Sequence, residues 1–114
     1  MNTPVSFEIA KLLKEKGFNQ GFDNDQMFYF PDTKELTENY RGNNYPAPTI
    51  ADVVMWIYEN HNIWISVDRY IDPEQSPDYR YGSCIYYDDH YYGRGNENPT
   101  EAYEAAIFYV LNLI

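Results

Sequence analysis

Residues 63–71, IWISVDRYI, alternate in character: Ile63, Ile65, Val67 and Ile71 fall on one side, Trp64, Ser66, Asp68 and Tyr70 on the other. A period of two is the geometry of a strand with one face in a core and one outside it. This segment limits the fold more than any other. A half-buried strand needs a neighbour to pair with and an apolar layer to cover its inner face. The return segment YRYGSCIYYD (79–88) supplies the neighbour as an antiparallel partner, after a connection, DPEQSPD, that carries two prolines. That pairing points Ile85 and Tyr87 inward and Arg80 and Tyr86 outward. Asp88-Asp89 starts a tight reversal, and HYYGR (90–94) reads as a third short strand.

Helices before and after this ribbon in the chain supply the cover. Thr3 is placed to cap a first helix with Pro4 at its first position, where a missing N–H costs nothing. Val5, Ile9, Leu12 and Leu13 recur at helical spacing, Lys14 and Lys16 complement the dipole at the end, and Gly17 offers a left-handed stop. Thr49 caps a second helix with Asp52 at its third position. Ile50, Val53, Val54 and Ile57 form its stripe, widened by Met55 and Trp56, and Asn60-His61-Asn62 closes it. Asn98-Pro99-Thr100-Glu101 opens a last helix. Its expected stripes are Ala102, Ala106, Tyr109 and Leu113, and beside them Tyr103, Ile107, Val110 and Ile114.

The region from 18 to 47 has weaker signals. NQGFDND is turn chemistry, QMFYF (26–30) reads as a short strand stopped by Pro31, Asp32–Asn39 suits a helical turn, and RGNNYPAP reads as loop. The expected order is helix, strand, helix, strand, strand, third strand, helix. That is an α+β domain of 114 residues, with three helices on one face of a small, mainly antiparallel sheet.

The block YPAPTIADVVMWIYENHNIWISV, together with NPTEAYEAAIFYVLNLI at the C-terminus, resembles small uncharacterised proteins of gut Bacteroidetes and of their phages and mobile elements. The resemblance spans most of residues 44–114 and rests on core and cap positions. It implies an accessory role in a bacterial or phage setting and carries over no functional residue.

Charge excludes several functions. Eighteen acids against eight bases give a net −10, and residues 35–114 hold thirteen of those acids with only Arg41, Arg69, Arg80 and Arg94 to offset them. Binding to phosphate backbones needs clustered lysine and arginine, so neither nucleic acid nor an anionic membrane is an expected direct partner. A basic protein is favoured instead. The N-terminal MNTPVSFEIAKLLKEK lacks a basic leader followed by an apolar run, and Cys84 is the only cysteine. Both features fit a soluble protein in a reducing cytoplasm.

Reactive constellations are weak. Cys84 and His90, with Asp88 or Asp89 to orient them, have the residue types of a nucleophile and its base. Six residues of extended chain hold them much farther apart than the roughly 3 Å such a pair needs. Asp88, His90 and His61 are the candidate metal ligands, without a ligand spacing that marks a known site. Asp23 and Asp25 begin like a calcium loop, but Met27 and Phe28 follow where a ligand and a glycine belong. No catalytic residue, metal or cofactor is therefore assigned.

The outward face of the ribbon is the stronger candidate. Trp64, Tyr70, Arg80 and Tyr86 have the composition of an interface hot spot. The competing expectation is that the aromatic segment 18–45 covers this face and completes the core. The leading reading is a non-enzymatic accessory protein that binds another protein through its aromatic face or acidic rim, with homo-oligomers also open to it. The alternatives are a DNA mimic that inhibits a nucleic-acid-binding host protein, and an enzyme built around His61, His90 and Cys84.

Overall fold

A computed structural model describes residues 3–18, 26–38, 42–71, 79–86 and 91–114. The elements run α1 (Phe7–Glu15), β1 (Met27–Tyr29), β2 (Leu36–Thr37), β3 (Tyr45–Ala47), α2 (Ile50–His61), β4 (Trp64–Ile71), β5 (Tyr79–Tyr86), β6 (Tyr91–Asn96) and α3 (Pro99–Leu113). The fold is α+β, with three helices packed against antiparallel sheet, as the periodicities imply.

The strands divide into two sheets of three. The larger has the order β4-β5-β6, and the smaller β2-β1-β3. In the larger, Ile65 lies opposite Ile85 and both are buried, facing Ile107, Val110 and Leu111 of α3 across the core. Between β5 and β6 the register shifts by one. Tyr81 pairs with Asn96 but Ser83 with Gly93, so Arg94 and Gly95 together oppose Gly82. Such a bulge bends and twists an edge strand. Ser83, on the inner face, is buried with no partner for its hydroxyl among the described residues.

Helix ends follow their local chemistry closely at α2 and α3. The Thr49 Oγ1 accepts from the Asp52 N–H at 3.2 Å, and Asn62 closes α2 in the left-handed conformation, φ 55°. Asn98 Oδ1 accepts from the Glu101 N–H at 2.9 Å, with Pro99 at the first helical position. The end of α1 is a Schellman motif: the Phe18 N–H donates to the Leu13 carbonyl at 2.9 Å and the Gly17 N–H to Lys14 at 3.3 Å. Gly17 takes φ 87°, which a side chain would resist. Phe18 packs edge-on against Trp56 of α2, 5.4 Å between ring centres.

Four local expectations are corrected. First, α1 begins at Ser6, whose Oγ is the cap, and not at Thr3. Thr3 and Val5 are claimed by the entrance to α2: the Val5 N–H donates to the Pro48 carbonyl at 2.9 Å and the Ile50 N–H to Thr3 at 3.2 Å. Second, residues 32–37 form no helical turn. They close a hairpin in which Phe30 and Glu35 bond at 3.0 Å and Lys34 turns through φ 62°. Third, the expected loop at 41–48 contains β3, with Phe28 opposite Pro46 and Tyr29 opposite Tyr45. Proline is tolerated there because β3 is an edge strand. Fourth, the buried side of α3 is Ala102, Ala106, Ile107, Val110 and Leu111, which leaves Tyr109 and Leu113 exposed; Met55 of α2 is likewise outside.

The small sheet is held on α1 by rings. Phe7 meets Tyr29 edge-on and Tyr45 at a tilt, each at 5.6 Å, and the Lys34 ammonium lies 5.2 Å from the Phe7 ring centre. The Tyr29 hydroxyl donates to the Val5 carbonyl at 2.7 Å. Beside it, Glu104 of α3 accepts from the Ser6 N–H at 2.8 Å, joining positions 98 residues apart.

Candidate functional site

Trp64 opens β4 two residues after the α2 cap, and the β4–β5 register sets it directly opposite Tyr86. The same register sets Tyr70 opposite Arg80, with Ser66–Cys84 and Asp68–Gly82 between the two pairs. All eight positions share the outer face, because each stands an even number of residues from Trp64 or Tyr86. The four residues singled out in the sequence therefore lie on one surface. They do not form one cluster. Six residues of strand, about 20 Å at roughly 3.3 Å per residue, separate Trp64 from Tyr70.

The Trp64 end is the exposed aromatic cluster. Trp64 is 41% and Tyr86 46% exposed, and Tyr58 of α2 meets the Trp64 ring edge-on at 5.4 Å. Tyr58 had no place in the sequence-based site because it falls outside the buried stripe of α2. Its signal was available in principle: an aromatic off the stripe in the last turn of α2, six residues before another aromatic. At the other end Tyr70 and Arg80 are half-buried. Asp68 is exposed between the two ends, and Asp52 and Glu59 are exposed on α2.

Cys84 explains how the face is built. It points to the outer side, yet it is only 3% exposed. The Tyr86 hydroxyl is in hydrogen-bonding contact with Cys84 and Ser66 on the same face. The Cys84 contact is the leading cause that raises the phenol above its ordinary pKa, and the Ser66 contact acts the other way. The cysteine is thus a small buried group beneath a tyrosine, a common use of an unpaired thiol.

His61 lies against Trp56, ring centres 5.4 Å apart, at the end of α2. Asp88 and His90, its suggested companions in a metal site, lie outside the described residues, as do Asp23 and Asp25. Among the described residues no three His, Cys, Asp or Glu side chains are grouped to hold a metal ion.

The aromatic segment expected to cover the outer face turns elsewhere where it is described. Phe18, Phe28 and Tyr29 are buried, and Phe18 and Tyr29 belong to the core on the α1 side. Trp64 and Tyr86 stay in contact with solvent. No helix among the described residues is long and apolar enough to cross a membrane. No protein-family model, curated protein or solved structure matches this chain.

Proposed function

We propose that this chain is a small, non-enzymatic accessory protein of the bacterial cytoplasm that binds another protein, carrying basic residues, through the outer face of β4 and β5. The observation that carries the reading is the exposed cluster of Tyr58 on α2 with Trp64 and Tyr86 on the β4–β5 pair. Three large, partly exposed aromatic side chains lose little side-chain entropy on binding and supply much contact area. Asp68 on the same face acts electrostatically on the Tyr86 phenol, and the exposed Glu59 follows Tyr58 on α2; these carboxylates supply the negative charge that selects a basic partner. Tyr70 and Arg80 extend the surface along the ribbon.

Affinity capture from a bacterial lysate tests it, with wild-type and Trp64→Ala/Tyr86→Ala proteins compared. A hot-spot tryptophan is worth about 2 kcal/mol or more, roughly a thirtyfold loss in affinity, so the double variant should recover little of the partner. Capture by the double variant equal to wild type would falsify the assignment of this surface. A partner that duplex DNA displaces in competition would instead identify mimicry of a nucleic acid.

A further inference from the structure

Helix α3 carries a second apolar stripe on its exposed side. Its buried side is Ala102, Ala106, Ile107, Val110 and Leu111. On the opposite side Ala105, Phe108, Tyr109, Asn112 and Leu113 recur at spacings of three and four, the spacing of a face made to pack. Phe108 and Leu113 are each 49% exposed and Tyr109 39%. An amphipathic helix on a molecular surface turns charged and polar groups outward; one that is apolar on both sides is normally covered on both. The Asn112 amide donates to the Phe108 carbonyl of its own helix at 2.8 Å, so it reaches burial with a bond already made.

We infer that α3 is the contact between two copies of this chain, packed antiparallel about a two-fold axis near Tyr109. Charge selects this occupant. The chain carries −10, so a second copy is repelled wherever acids face it, but residues 105–114 contain no charged side chain. A basic partner would find nothing to pair with there, whereas a second neutral stripe meets no repulsion. Geometry agrees. An antiparallel pair centred at Tyr109 sets Leu113 of each copy, four residues on, against Ala105 of the other, four residues back. Large then meets small, as interlocking helices require. Glu104, five residues from the centre, is engaged on the α1 side by the Ser6 N–H, and Glu101 lies eight residues from the centre, about 12 Å along the axis at 1.5 Å per residue, outside the paired stretch. The interface is isologous, so it closes at two copies. It uses none of the residues assigned to partner binding.

Equilibrium sedimentation of the full chain across a wide concentration range is the test. Wild type should approach twice the 13.5 kDa of one chain as concentration rises. Phe108→Lys and Phe108→Glu should each stay at the monomer mass, and an equimolar mixture of the two should recover the dimer. Far-ultraviolet circular dichroism of each variant, unchanged from wild type, separates loss of pairing from loss of fold; should either variant fail to fold, Leu113→Lys takes its place. Trp64→Ala/Tyr86→Ala should leave the mass unaltered. A wild type that stays monomeric throughout overturns the inference, as does a dimer that survives the substitutions on α3.

Discussion

Tyr29 concentrates several roles in one side chain. Its ring packs edge-on against Phe7 and its hydroxyl caps the Val5 carbonyl, a group that pairing with α2 has already drawn into the interior. Burial, and secondarily the Glu104 carboxylate, raises its phenol above the ordinary value of 10.0. The neutral phenol is therefore favoured by folding. Its contribution to stability is complete below about pH 10, where the unfolded chain would also be protonated, and is lost as pH rises through the higher folded-state value. Tyr29→Phe removes the bond and leaves the carbonyl unsatisfied, a loss of about 1–3 kcal/mol at neutral pH. Above pH 10 the difference between variant and wild type should shrink. Urea unfolding of both proteins at pH 7.5 and pH 10.5, conditions on either side of that ordinary value, measures it. A difference that grows at alkaline pH would contradict the burial of this hydroxyl.

At the scale of elements, the helix ends were the most legible part of the chain. Thr49, Asn98 and Gly17 act through bonds within a few residues of themselves, so their signals survive without knowledge of anything distant. Gly17 allows a clean test. A methyl added there meets nothing within 4 Å, so Gly17→Ala carries only the cost of φ 87°. That cost is about 1–2 kcal/mol, read as a lower midpoint in thermal unfolding with the fold retained. Gly17→Asn should recover part of it, since asparagine tolerates the left-handed region. The strand faces were equally readable: Ile63, Ile65 and Ile85 are inside and Trp64 and Tyr86 outside, because a period of two admits only that exchange. The small sheet was less legible. Strands of two or three residues have too few alternations to register as a pattern, and Pro46 marks β3 as a loop unless its edge position is known.

For the molecule as a whole, the surplus of acids outweighs its ion pairs. Lys34 and Glu8, 3.9 Å apart, are both largely in solvent and add little. Repulsion among the remaining carboxylates opposes the compact state, and salt should relieve it. Raising ionic strength from about 0.01 M to about 0.15 M shortens the screening length from roughly 30 Å to roughly 8 Å, so the thermal midpoint should rise. Differential scanning calorimetry of the isolated chain reports this directly. A midpoint that falls with salt would mean that attractive pairs outweigh the net charge. The same acidity makes the two uncovered apolar surfaces informative. The aromatic cluster at the start of β4 has Asp68 on the same face and Glu59 next to Tyr58, while the outer stripe of α3 has no carboxylate side chain in its last ten residues, and surfaces so differently charged suit different occupants.

Sequence alone determined the class of fold, the caps of α2 and α3, the glycine stop of α1, the faces of β4 and β5 and the absence of a basic footprint, because each is written in neighbouring residues or in the total charge. Tertiary structure decided where α1 starts, which side of α3 is covered, that the chain from 26 to 47 forms its own sheet and that Tyr58 joins Trp64. These depend on contacts such as Ser6 with Glu104, whose partners lie 98 residues apart. Closing so large a loop is worthwhile only when the whole core forms together, and no local window of sequence contains that information.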